Sequence, residues 1–127
     1  MTYRRSKYGA KKTLAEGLLF DSKAEAARYL DLRLMERAGE IKRLSTQPRY
    51  ALAVNGVKVC DYIADFSYHR VTGKDATAHV LEDVKGARTG AAWAMFRIKA
   101  KLFRAIYGYE IEVYPPVLKA PRRKAKR

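Results

Sequence analysis

Cysteine occurs once in the 127-residue chain, at Cys60, so no internal disulfide can form. Histidine occurs only at His69 and His79, too little for a conventional structural zinc site, and none is expected. No apolar run approaches the roughly 20 residues needed to cross a bilayer, so no segment is expected to span a membrane. Met1-Thr2-Tyr3-Arg4-Arg5 leads into polar sequence and not into an apolar signal core. A cytoplasmic chain is expected, or one in the host cytoplasm if a phage encodes it. Acidic residues are also scarce, 13 Asp+Glu against 27 Lys+Arg.

What remains is a basic chain with a net charge of +14 and 48% hydrophobic residues. That apolar content supports one packed domain, and the length is short for two. A surplus of positive charge this large points to a polyanion: nucleic acid first, an anionic membrane surface second. We expect a single domain over residues 1–114, opening with a basic arm at 1–13. A cationic, disordered tail follows at 115–127.

Ser22 with Glu25 three positions later makes a capping box for a helix over 22–38, which Gly39 ends. Ala27, Leu30, Leu34 and Ala38 form its apolar stripe. Leu18-Leu19-Phe20 is a strand or a packing anchor. A short strand at Ile41–Leu44 precedes one carrying Tyr50, Leu52 and Val54. Asn55-Gly56 signals a tight hairpin turn. The return strand runs over 57–68, Thr72-Gly73 helps close the next turn, and a third strand covers 79–85. A second helix over 91–107 carries Trp93, Phe96, Ala100, Phe103 and Tyr107 at helical spacing, with Trp93 and Phe96 assigned to the core. Gly108 stops it, and a last strand at 109–114 ends at Pro115-Pro116. The order is helix, three strands, helix, strand. It predicts an α/β fold with a mixed sheet: antiparallel through the hairpin, parallel at the final crossover, flanked by helices.

The chemistry concentrates in Asp61-Tyr62-Ile63-Ala64-Asp65-Phe66 and Leu81-Glu82-Asp83-Val84-Lys85-Gly86. Strand side chains alternate faces. Leu81, Asp83 and Lys85 therefore share one face, and Glu82 and Val84 the other. Two carboxylates, Asp65 and Asp83, converging with the Lys85 ammonium suit a hard divalent cation. The plainer alternative is a same-face salt bridge between Asp83 and Lys85, with Asp65 at a strand end.

These residues resemble the PD-(D/E)xK nuclease core, whose element order αβββαβ matches the one above. More narrowly, six stretches look like a small phage-associated nuclease family related to Holliday junction resolvases and formerly described as a domain of unknown function. They are Tyr8-Gly9-Ala10-Lys11-Lys12-Thr13, Phe20-Asp21-Ser22-Lys23-Ala24-Glu25, Gly39-Glu40-Ile41-Lys42, Gln47-Pro48, Ala64-Asp65-Phe66 and Glu82-Asp83-Val84-Lys85-Gly86. The resemblance covers most of residues 8–108.

It implies that Asp65 is the acid of the "PD" element, with Ala64 in place of the proline. Asp83 takes the (D/E) place and Lys85 the lysine. The Val84 carbonyl joins Asp65 and Asp83 as a metal ligand, and Glu25 matches a further acid of the site. Against Glu25 stands its capping role and its place on the wheel, near Tyr29 and Leu32 and away from the Ala27–Leu34 stripe. The implied activity is Mg²⁺-dependent cleavage of DNA phosphodiesters, with Mn²⁺ substituting and a 5′-phosphate product. Branched DNA is the preferred substrate and a homodimer is expected. The alternatives are a nuclease of nicking, packaging or transposase-subunit type, a non-catalytic nucleic-acid-binding module, or a ribosome-like RNA-binding protein.

Arg88 and Thr89, in the loop after the catalytic strand, are placed for backbone phosphate contacts, with Lys11, Lys12 and Lys101 adding charge. Lys99 occupies a core-like position, which fits either a phosphate contact or a lysine whose stem is buried at the edge of the stripe. Tyr3 could stack on bases, while packing is the role expected of Tyr8. No physical role is assigned to Gln47.

Overall fold

The structure, a computed structural model, describes residues 12–117. Among these residues it contains ten elements. A small hairpin, β1 (Thr13–Ala15) and β2 (Leu18–Phe20), precedes helix α1 (Lys23–Arg37). Then come β3 (Ile41–Thr46), β4 (Arg49–Val54), β5 (Val57–Ile63), β6 (Phe66–Gly73) and β7 (Ala76–Val84). Helix α2 (Gly90–Tyr107) and β8 (Glu112–Tyr114) complete the fold.

The main sheet has the order β3-β6-β7-β8. Its first two pairings are antiparallel and β7–β8 is parallel. The fold is thus mixed α/β, as expected. With the two hairpins β1–β2 and β4–β5 set aside, the chain reads α1, β3, β6, β7, α2, β8, which is compatible with a restriction-endonuclease-like core.

Local chemistry explains the boundaries. The Ser22 hydroxyl accepts from the Glu25 N–H at 3.1 Å and caps α1. Gly39, at φ 80°, reverses the chain after it. The Gly39 and Glu40 N–H groups then bond the Glu36 and Met35 carbonyls, a Schellman closure. Asn55 and Gly56, at φ 51° and 78°, make the expected hairpin turn. Gly108, at φ 87°, ends α2.

Two apolar clusters lie on opposite faces of the main sheet. One joins Phe20, Ala26, Tyr29, Leu32, Ile41, Phe66, Tyr68 and Val80 under α1. The other joins Leu52, Tyr62, Ala64, Leu81, Phe96 and Phe103 between the sheet, the β4–β5 hairpin and α2. Val80 and Leu81 fall in different clusters, so the alternation of β7 is carried into the packing. Phe103 is fully buried, and its truncation to Ala would cost roughly 3–5 kcal/mol.

Several expectations are corrected. The buried face of α1 is Ala26, Tyr29 and Leu32, while Leu30 and Leu34 are 43% and 62% exposed. The packed rings of Phe20, Tyr29 and Phe66 set the helix rotation, and leucines on the other side remain at the surface. The strand expected over 57–68 is two strands, because the chain leaves the hairpin at Ala64-Asp65 and enters the main sheet at Phe66. The β4–β5 hairpin is a separate two-stranded sheet, and the antiparallel pairing of the main sheet comes from β3, β6 and β7. Thr72 and Gly73 belong to β6, and β7 starts three residues before His79. The last strand is confined to Glu112–Tyr114. Thr13 is already in β1 and not in an arm. The arm residues 1–11, with Tyr3, Tyr8 and Lys11, and residues 118–127 of the tail lie outside the described residues.

Candidate active site

Asp65 sits where the chain passes from β5 to β6. Its N–H donates to the Glu82 carbonyl at 3.2 Å, and its own carbonyl accepts from the Gln47 N–H at 2.9 Å. Its carboxylate accepts from the Val84 N–H at 2.7 Å. Neighbouring Ala64 is bonded to the Pro48 carbonyl at 3.1 Å. Gln47 thereby gains a physical role: its backbone, at φ 52°, helps hold Asp65.

Asp83 is 4% exposed. One carboxylate oxygen meets the Lys85 ammonium at 2.9 Å, and the other accepts from the Tyr62 hydroxyl at 2.5 Å. Lys85 follows the last residue of β7. Its backbone N–H is held by the Tyr114 carbonyl at 2.9 Å, and its ammonium lies 4.4 Å from the centre of the Phe96 ring. The pair of Asp83 and Lys85 expected from strand parity is therefore present.

The electrostatics are those of crowded negative charge. Burial, then Asp83, then Glu25 raise Asp65 above the usual carboxylate range. Burial, then Asp21 and Asp83, push Glu25 up to about 7, while Lys85 acts in the opposite direction. Burial and the adjoining Asp83 carboxylate push the Tyr62 phenol up, so it stays protonated and donates. Among the described residues, no three His, Cys, Asp or Glu side chains group closely enough to form a metal cluster by themselves.

Glu25 stands near enough to Asp83 and Lys85 to be perturbed by both. The wheel argument against it reverses, because Tyr29 and Leu32, its neighbours on the helix, are the residues α1 buries. A cleft of about 350 Å³ opens beside Asp83 and Lys85, bounded by Asp61, Tyr62, Met95, Phe96 and Lys99. The Lys99 ammonium donates to the Asp61 carbonyl at 3.2 Å on its wall.

The other cations are dispersed. Arg88 is held by its own chain: its guanidinium bonds the Pro115 carbonyl and lies 5.9 Å from the centre of the Trp93 ring. Thr89 is the exposed N-cap of α2, without a side-chain capping bond. Lys101 is exposed on α2, away from the cleft, and Lys12 is half-buried just before β1. Trp93, expected in the core, packs at its edge, stacked on Phe96 at 5.4 Å between ring centres, and is half-buried in the wall of an open groove.

Two features escaped the sequence reading. Tyr62 shares the inward face of β5 with the apolar cluster, a parity signal that was available. Glu82 is 3% exposed and is gripped by Arg28 through two bonds of 2.9 and 2.8 Å, with the Tyr68 hydroxyl at 2.8 Å. Arg28 also stacks 3.8 Å from the centre of the Tyr114 ring. An acid in an apolar strand requires such a partner, and Arg28 lies one helical turn after Glu25.

The fold and site define a mixed α/β protein with acidic side chains gathered at the end of β7. The chain belongs to the family described as "Protein of unknown function (DUF1064)", which matches residues 5–120. No curated protein and no solved structure matches it.

Proposed function

We propose that this protein is a Mg²⁺-dependent endonuclease of the PD-(D/E)xK kind that hydrolyses DNA phosphodiesters. The observation that carries the reading is the closeness of two carboxylates, half-buried Asp65 and buried Asp83, with a single ammonium, Lys85, paired to Asp83. Packing alone gives no reason to force like charges together, and the arrangement costs stability unless a cation or a proton relieves it.

The donor set suits a hard cation in kind, since it is all oxygen. Asp65 and Asp83 would hold Mg²⁺, with the Val84 carbonyl and Glu25 as the further donors. When bound, Mg²⁺ supplies the Lewis acidity that a phosphodiester needs for attack by water. The protein's own groups do the rest. Lys85 orients the attacking water and offsets charge developing on the phosphate. Tyr62 fixes the rotamer of Asp83 by donating to it. Lys99 and the cleft beside it receive the backbone. Branched DNA is the proposed substrate, and a homodimer would allow paired cuts.

The test is a panel of labelled junction, flap, nicked and linear duplexes incubated with purified protein and Mg²⁺ or Mn²⁺. Cleavage is expected, with junctions cut in preference to linear duplex. Intact substrates throughout would overturn the enzyme reading and favour a binding module. Linear duplex cut as readily as junctions would remove the preference for branches.

A further inference from the structure

We infer that the groove between α2 and β8 is a channel for single-stranded nucleic acid, separate from the cleft over Asp83. The inference rests on the nuclease reading for its purpose, since it names the form in which part of the substrate is held. The groove has a volume of about 450 Å³. Ile111 and Val113 line it from the β8 segment, and Trp93 lines it from the start of α2.

From Trp93 the same side of α2 continues through Arg97, Lys101 and Arg104, spaced four, four and then three residues apart, all lining the groove. Arg104 is paired with Glu110 at 2.6 Å. Arg97 and Lys101 have no ion-pair partner among the described residues.

A row of cations beside an aromatic wall is the combination that holds a single strand: phosphates follow the charge and unstacked bases lie against the ring. A duplex satisfies only half of it, because its bases are already stacked on one another. An acidic protein surface would use the cations and leave the indole wall without a partner. Phe96 lines both the groove and the cleft, so the two cavities lie on either side of one ring. A strand leaving the cleft over Asp83 therefore reaches the Trp93 end of the groove by crossing the first turns of α2.

Trp93 is the only tryptophan in the chain, so its fluorescence reports on the groove directly. The experiment titrates the full chain, in EDTA, with oligothymidylate of about a dozen nucleotides. A blunt duplex of the same length is run in parallel. Saturable quenching by the single strand, and weaker quenching by the duplex, is expected. Arg97→Gln/Lys101→Gln should weaken binding roughly tenfold and lower the salt slope by about 1.4, which is two released phosphate contacts on a single strand. Both side chains are at the surface, and a thermal melt checks that the variant folds. Absence of quenching, equal quenching by duplex, or an unchanged affinity and slope in the variant would each overturn the channel. Quenching without cleavage in Mg²⁺ would remove the nuclease reading and leave the channel standing. Cleavage without quenching would remove the channel alone.

Discussion

Glu82 and Asp83 are neighbours on β7 and are almost equally buried, at 3% and 4% exposure. Their surroundings differ in kind. Glu82, on the α1 side, meets two nitrogens of the Arg28 guanidinium and a phenol, so its charge is paired and both of its oxygens accept hydrogen bonds. Asp83, on the α2 side, meets a phenol and one ammonium but also adjoins Asp65, with Glu25 near. One acid is a closed account, and the other is part of a surplus. Burial alone thus does not mark a reactive carboxylate; unbalanced burial does.

The sharpest way to break this contrast is to remove one charge from each side. Asp83→Asn should lower cleavage by at least about 10²–10³-fold while leaving the melting temperature unchanged or raised, because it relieves repulsion. Glu82→Gln should do the opposite. It strands the Arg28 guanidinium, should cost about 3–5 kcal/mol in denaturant unfolding, and should leave the rate per folded molecule near wild type. If the two variants exchange these phenotypes, the contrast between the faces is wrong.

A smaller effect is expected at Tyr62. Tyr62→Phe removes a hydrogen bond to a charged acceptor, a contribution of roughly 1.5–3 kcal/mol. Turnover should fall about tenfold or somewhat more, with little change in oligonucleotide affinity. Loss of affinity in place of rate would mean that Tyr62 holds the fold and not the acid.

The smallest effect is in pH. A carboxyl raised in the folded state binds more protons folded than unfolded. Its contribution to stability is therefore fullest below its usual 4.5 and is lost as pH rises toward about 7, the value for Glu25. Asp65, also raised, acts in the same direction. Metal-free protein should melt lower at about pH 8 than at about pH 5 through these groups. Mg²⁺ should stabilise more at the higher pH, because its ligands must be ionised. Thermal melts at both pH values, with and without Mg²⁺, check this; a larger metal effect at the lower pH would contradict it.

Features set by local chemistry were legible in the sequence. Ser22 caps α1, Asn55-Gly56 turns the hairpin and Gly108 stops α2, each through a backbone requirement that few residues meet. Strand parity likewise separated Asp83 from Glu82. The rotation of α1 was not legible, because two apolar faces compete on that helix and the ring contacts of Tyr29 with Phe20 and Phe66 decide between them. Nor was the break at Ala64-Asp65, where the residues read as continuous strand and only the parting of hairpin from sheet interrupts them. Arg28 was missed for a related reason: its partner is 54 positions away.

The break also makes residues 48–64 an excursion with a closed neck. Gln47 is bonded to Asp65, and Pro48 to Ala64, so the chain leaves and returns at one point. Whatever length the hairpin has at its Asn55-Gly56 tip, the geometry at the neck is the same. A chain built this way can lengthen or shorten the hairpin while the acid at the neck keeps its position.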